Sequence, residues 1–167
     1  MGEGIAPRRR IVTFEDLTSP YDIPSGGIFH FAMAVPDLPA AMDMLGPALN
    51  VDWTSIWSMT RKMNTPEGPT TDEMQAVYTR QGPPYVELVS GYGSGFFAAD
   101  EGPRLHHVGY IVEDVRAEAE RLEALGMTIW DLGPGSAFVT NAVGMTFEVM
   151  GPGIRQTLDE WFARPSD

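Results

Sequence analysis

From Ile28 to Val35 the chain is apolar at nearly every position, the pattern of a strand covered on both faces. Asp37 then offers a helix N-cap, with Pro39 in the first turn where a missing N–H does little harm. Leu38, Met42, Leu45 and Leu49 follow at helical spacing. A strand is predicted over 51–59 and a loop over 61–71, around Pro66, Gly68 and Pro69. Two more strands are predicted near 73–80 and 84–90, joined by Gln-Gly-Pro-Pro. The glycine-rich stretch from Gly91 to Gly102 reads as a linker or a lid, and its Phe96-Phe97 pair must either pack or contact a partner.

The scheme then repeats in fewer residues. A strand is predicted over 105–112 and a helix capped by Asp114, with Val115, Ala119, Leu122 and Leu125 turned inward. Strands near 127–132, 135–140 and 144–150 complete a second β-α-β-β-β unit. An amphipathic helix is predicted from Ile154 to Phe162, with Ile154, Leu158, Trp161 and Phe162 on one side. His-Phe-Ala-Met-Ala-Val-Pro-Asp-Leu from His30 matches His-Val-Gly-Tyr-Ile-Val-Glu-Asp-Val from His107 at a constant offset of 77 residues. That offset also matches Ala40 with Ala117, Leu45 with Leu122 and Trp53 with Trp130. The predicted organisation is an extension over 1–26, a paired domain over 27–150 and a C-terminal segment over 151–167. Within the domain, the modules are 27–90 and 104–150, separated by a linker over 91–103.

Composition narrows the function classes. The net charge of −12, with Lys62 as the one lysine, opposes nonspecific nucleic-acid binding, which depends on neutralising phosphates. Arg8, Arg9 and Arg10 form a cluster too short for the usual basic run and are read as a solvated tail. No apolar run approaches the ~20 residues of a membrane span, and the start lacks the apolar core of a signal peptide. With no cysteine, any metal must be held by His, Asp and Glu. A cytoplasmic location is expected.

Candidate chemistry follows from the repeat. His30 and His107 head equivalent strands, and a ligand-type side chain at the same place in both halves points to a site on a pseudo-two-fold axis. Glu87, in Tyr-Val-Glu-Leu-Val, and Glu148, in Thr-Phe-Glu-Val-Met, are carboxylates inside apolar strands that close their halves. A charge there is costly unless it is paired or coordinated. Two imidazoles and two carboxylates suit a divalent first-row metal. Taken singly, a histidine at a strand end is more often structural than a ligand, and a strand glutamate more often faces solvent. Trp53, Trp57, Tyr78, Tyr85 and Tyr110 are candidates for an aromatic substrate pocket, although core packing explains any one of them more simply. Met59, Met63 and Met74 could add a flexible apolar lining.

Over about residues 28–150 the chain resembles the vicinal oxygen chelate superfamily, which includes glyoxalases, methylmalonyl-CoA epimerases, extradiol dioxygenases and bleomycin resistance proteins. The likeness rests on His-x-x-x-x-Val-x-Asp-Leu/Val in both halves, on the two strand glutamates, and on Asn-Ala-Val-Gly-Met-Thr-Phe-Glu before the last strand ends. The resemblance implies an α+β fold in which two β-α-β-β-β modules pair into a curved-sheet metal-binding cleft. It implies one divalent metal ion (Zn, Ni, Co, Mn or Fe) on His30, Glu87, His107 and Glu148, the ligand pattern of the glyoxalase and epimerase branches. It also implies a homodimer, for which Phe96, Phe97, Trp161 and Phe162 are candidate contacts.

His106, next to the expected ligand, should point to the opposite face and serve in packing or behind the ligands. The implied reaction is that of an isomerase, epimerase or lyase. Such an enzyme abstracts a proton next to a carbonyl of a small organic or acyl substrate, with Glu148 and Glu87 as catalytic candidates. The epimerase branch carries an additional glutamate on its third strand; the nearest counterparts here are Gln75 and Glu73, a departure from that branch. The alternatives are an iron-dependent dioxygenase using His30, His107 and Glu148, and a non-catalytic protein that binds an antibiotic or metabolite.

Overall fold

The computed structural model describes residues 27–93, 95–99 and 102–165, so the expected extension over 1–26 lies outside the described residues. The strands are β1 (His30–Ala34), β2 (Trp57–Thr65), β3 (Gly68–Tyr78), β4 (Tyr85–Gly91), β5 (Arg104–Ile111), β6 (Thr128–Leu132), β7 (Ser136–Thr140) and β8 (Thr146–Met150). The helices are α1 (Leu38–Leu49), α2 (Val115–Ala124) and α3 (Ile154–Phe162). All eight strands join one sheet in the order β2-β3-β4-β1-β5-β8-β7-β6. At its centre β1 and β5 run antiparallel, and each has a parallel neighbour on its outer side, β4 and β8 respectively. The sheet curls until its two edge strands meet: Arg61 on β2 donates to Ser136 Oγ on β7 (2.9 Å), and the Asn64 N–H donates to Asp131 Oδ1 on β6 (2.8 Å).

Helix starts follow the local rules. The Asp37 carboxylate accepts from the Ala40 N–H and the Asp114 carboxylate from the Ala117 N–H, both at 2.9 Å. Both helices pack on one face of the sheet. Leu38 and Ala41 meet Val77 and Leu88, while Val115, Ala119 and Leu122 meet Ala137, Val139 and Val149. Leu49, at helical spacing from Leu38, and Leu125, expected inward, are 49% and 69% exposed. Each stands where its helix stops: Leu49 is followed by Asn50 in the left-handed conformation, and Leu125 is itself the C-cap.

The other face encloses a third core cluster with α3 laid across it, and Leu158 and Trp161 are buried there. Arg80 fixes the far end of α3, donating to Phe162 O at 2.7 Å and Arg164 O at 2.8 Å. Phe97 and Trp161 are 2% and 3% exposed, and Phe96 and Phe162 pack against the same cluster. Of the four aromatics considered as dimer contacts, Phe97 and Trp161 are thus buried within the chain, while Phe96 and Phe162 are half-buried.

The loop expected over 61–71 is instead a long hairpin, with β2 and β3 paired from Trp57↔Ala76 to Thr65↔Gly68. The breakers are confined to its tip. Pro69 is tolerated because β4 pairs with β3 only from Met74 to Tyr78, leaving the other edge of β3 free at Pro69. The strand expected from residue 51 begins only at Trp57, preceded by an isolated bridge between Trp53 and Thr79.

Candidate metal centre

Sheet register places the four candidate donors in two adjacent rows. In one row Tyr78, Glu87, Ala32 and His107 lie side by side on β3, β4, β1 and β5. In the other, Phe138, Glu148, Gly109 and His30 lie side by side on β7, β8, β5 and β1. Directly paired residues share a face, so both rows present their side chains to the interior under α3. Each row holds one carboxylate, one imidazole and one very small residue. The small residue makes room for the imidazole: a Cβ on Gly109 would come closer than 3.0 Å to three ring atoms of His30.

The donors converge closely. His30 Nε2 and His107 Nε2 are 2.9 Å apart. Glu87 Oε2 is 3.4 Å from the first and 3.2 Å from the second, and Glu148 Oε2 is 3.4 Å and 3.3 Å from them. All four donors lie within 4.8 Å of one another. Four atoms set tetrahedrally about 2.0–2.1 Å from a shared centre stand about 3.3–3.4 Å apart, close to this spacing. Glu87 Oε2 is buried, and its contacts with the two imidazoles are at ion-pair distance without hydrogen-bond geometry, an expensive position for a carboxylate oxygen unless a cation takes it. The donor set therefore fits a divalent ion on both distance and charge.

Neighbouring groups orient the imidazoles. His107 Nδ1 is 2.8 Å from His106 Nδ1, and His106 Nε2 is 2.8 Å from Phe96 O. A neutral His107 protonated on Nδ1 satisfies this chain. It donates to His106, which donates in turn to the Phe96 carbonyl, leaving the His107 Nε2 lone pair toward the other donors. Burial, aided by the charge of His107, lowers the His106 pKa to about 3 and keeps that ring neutral. His106 was expected on the opposite face. A bulge in the β1–β5 pairing, where Ala32 faces His107 and Met33 faces Leu105, breaks the alternation and brings the two rings together. On the other imidazole, the Tyr78 hydroxyl is 3.4 Å from His30 Nδ1.

Burial opposes charge on His107, but close contact with the carboxylates of Glu148 and Glu87 and their charge outweigh it and raise its pKa to about 9. Burial would raise Glu148; contact with His107, the charge of His30 and that of Arg61 outweigh it and hold the carboxyl at about 2. His30 is lowered, chiefly by burial.

A cavity of about 230 Å³ opens on Glu87, His107 and Glu148. Trp57, Met59, Met74, Phe97, Phe138 and Met150 wall it, and α3 closes it with Ile154, Thr157, Leu158 and Trp161. Of the aromatic candidates, Trp57 and Tyr78 line it. Tyr85 lies one layer behind, against Phe29, Tyr78 and Phe162. Trp53 and Tyr110, also expected in the pocket, do not line it. Trp53 packs under α1, where its Nε1 donates to Met42 O at 3.2 Å, and it walls a larger open groove of about 650 Å³ that contains none of the four donors. Tyr110 follows Gly109, so alternation turns it toward α2, where its hydroxyl donates to Glu118 at 2.8 Å.

Met59 and Met74 line the cavity, while Met63 is in the core. Gln75 donates to Ser58 Oγ at 3.1 Å on the outer side of the hairpin, away from the donors, and Glu73 is exposed. Sequence reasoning missed Arg61, which lines the cavity from within the expected loop; the alternation of Met59, Arg61 and Met63 was the available signal.

Among solved structures, a hypothetical protein from Bacillus halodurans shares 14% identity with this chain at a TM-score of 0.54, covering 74% of this chain and 92% of its own. Methylmalonyl-CoA epimerase from Mycobacterium tuberculosis shares 16% at 0.54, covering 79% and 91%. A variant of 4-hydroxymandelate synthase from Streptomyces coelicolor shares 13% at 0.52, covering 74% and 48%. At these identities the likeness is one of fold. No curated protein matches in sequence. The family model of the Glyoxalase/Bleomycin resistance protein/Dioxygenase superfamily matches residues 29–147, and the chain belongs to that superfamily.

Proposed function

We propose that the protein is a metal-dependent isomerase, epimerase or lyase that removes a proton next to a carbonyl of a small organic or acyl substrate. The observation that carries this reading is the convergence of two carboxylates and two imidazoles at the base of a mostly apolar cavity under α3. His30, Glu87, His107 and Glu148 would hold the ion. When bound, a divalent cation supplies Lewis-acid stabilisation of the negative charge that develops on a substrate oxygen.

The remaining work falls to side chains. Trp57, Met74, Met150 and Trp161 exclude water and strengthen electrostatic effects within the cavity. With Gln75 and Glu73 outside it, Glu148 and Glu87 are the carboxylates positioned to accept the substrate proton. The methylmalonyl-CoA epimerase and 4-hydroxymandelate synthase neighbours are named for two different reactions on this fold. Zinc- or cobalt-loaded protein incubated in D₂O with a panel of 2-methyl acyl thioesters and 2-oxo acids should exchange the proton next to the carbonyl in at least one member. Glu148→Gln and Glu87→Gln should each reduce that exchange at least a hundredfold. Exchange unchanged in both variants removes these carboxylates from the mechanism. Ferrous-iron-dependent oxygen consumption without exchange overturns the proton-transfer reading in favour of a dioxygenase.

A further inference from the structure

Arg61 is the permanent cation among the described residues that wall the cavity, in a chain with a net charge of −12. Its side chain is 23% exposed, and its guanidinium lies 4.7 Å from the centre of the Phe138 ring. Nη2 donates to Ser136 Oγ at 2.9 Å and stands 3.7 Å from Asp131 Oδ2. These contacts join the two edges of the sheet, which is a structural role. That role leaves other donors unused. Nε is buried without a hydrogen-bond partner, and Nη1 is 4.0 Å from Glu148 Oε1, beyond bonding distance. A guanidinium presents five donors in a planar fork that matches a carboxylate. Asp131 and Glu148 stand at ion-pair distance and balance its charge, but neither takes the fork bidentately, so its hydrogen-bonding capacity is not used up by them.

We propose that Arg61 is the carboxylate subsite of this cavity, and that the substrate is a small organic acid rather than a neutral carbonyl compound. Resting on the metal-centre reading above, this adds the chemical class of the substrate. Phe138 pairs with Glu148 across β7 and β8, so the guanidinium stacked on it stands beside the Glu148 arm of the donor cluster. An acid held by Arg61 therefore has its carboxylate only a few ångströms from the metal donors. That distance suits a second oxygen function one or two carbons away, as in 2-oxo and 2-hydroxy acids. The cavity has room for about eight waters' share of liquid, enough for a short branched chain against Trp57, Met74 and Ile154.

The test compares binding of 3-methyl-2-oxobutanoate, 4-methyl-2-oxopentanoate and 2-hydroxy-3-methylbutanoate with that of their methyl esters. Calorimetry is run on both zinc-loaded and chelator-treated protein. At least one acid should bind the wild type ten times or more tighter than its ester. R61Q should bind that pair alike while keeping wild-type zinc content, and R61K should fall between. D131N, which removes the ion pair and leaves the guanidinium with its Ser136 contact, should keep the acid preference.

Equal binding of acids and esters by the wild type, or no binding of any acid below 10 mM, overturns the proposal. So does an undiminished acid preference in R61Q. Zinc lost from R61Q with the acid preference retained in its metal-free form makes Arg61 a support for the donors and also overturns it. If the wild type takes up no zinc, the metal reading fails by itself, and the metal-free titration still reads Arg61. Should R61Q not fold, the wild-type preference and its decrease in R61K carry the test.

Discussion

Gly109→Ala probes the centre without touching a donor. The added methyl would lie closer than 3.0 Å to three atoms of the His30 ring, where ordinary contacts fall at 3.4–4 Å. His30 is fully buried and enclosed by the rings of Phe29, Tyr78 and His107, so it has little space to retreat. Relieving the overlap needs a shift of about 1 Å. Ligand positions in metal sites tolerate about 0.2 Å. Zinc affinity should therefore fall a hundredfold or more, equivalent to about 2.7 kcal/mol. Overpacking should lower the stability of the metal-free protein by about 1–3 kcal/mol. Competition against a chromophoric chelator gives the affinity, and thermal melts with and without zinc give the stability. Gly135→Ala, whose Cβ meets nothing within 4 Å, is the control and should match the wild type in both. If Gly109→Ala keeps zinc affinity within threefold of wild type and the same melting temperature, His30 is not held as the sheet pairing requires.

Further outcomes follow from the same contacts. His106→Ala should weaken zinc binding about 10–100-fold by removing the acceptor for His107 Nδ1. His106→Gln, which can both accept and donate, should recover part of that loss; equal losses in the two variants would argue against the relay. The pH profile of the metal-free protein has a definite sign. His107 is raised from 6.5 to about 9, so its contribution is fully present below pH 6.5 and is lost as pH rises through 9. Glu148 is lowered from 4.5 to about 2, so its contribution is present above pH 4.5 and is lost as pH falls through 2.

Melting temperature of the metal-free protein should thus decline between pH 6.5 and 9.5. Over the same range the stabilisation gained on adding zinc should grow, because the metal competes with the His107 proton. A flat difference between the two melting curves would contradict this. Leu158→Ala, at a position 1% exposed over the cavity, should cost about 2–5 kcal/mol in denaturant unfolding. A smaller loss would mean that α3 packs less tightly than its buried contacts imply.

The chain by itself determined what depends on short-range pattern. Asp37 and Asp114 announce their helices because an N-cap needs only a carboxylate and three following residues. His30 and His107 share an offset, and Glu87 and Glu148 interrupt apolar strands, so all four donors were legible before any contact was known. Tertiary structure decided whatever depends on which strands lie side by side. Pairing of β2 with β3 turned an expected loop into a cavity wall and delivered Arg61 to it, because breakers at a hairpin tip do not forbid strands on either side.

Trp53 and Tyr110 have the composition of a pocket, yet they pack against α1 and α2, since aromatic character does not specify which face of the sheet a residue takes. His106 reversed its expected face at a bulge, a local irregularity that alternation cannot foresee. Gly109 shows the division most plainly. In the sequence it is one glycine of 18, and it acquires a role only when β1 sets the His30 ring over its Cα.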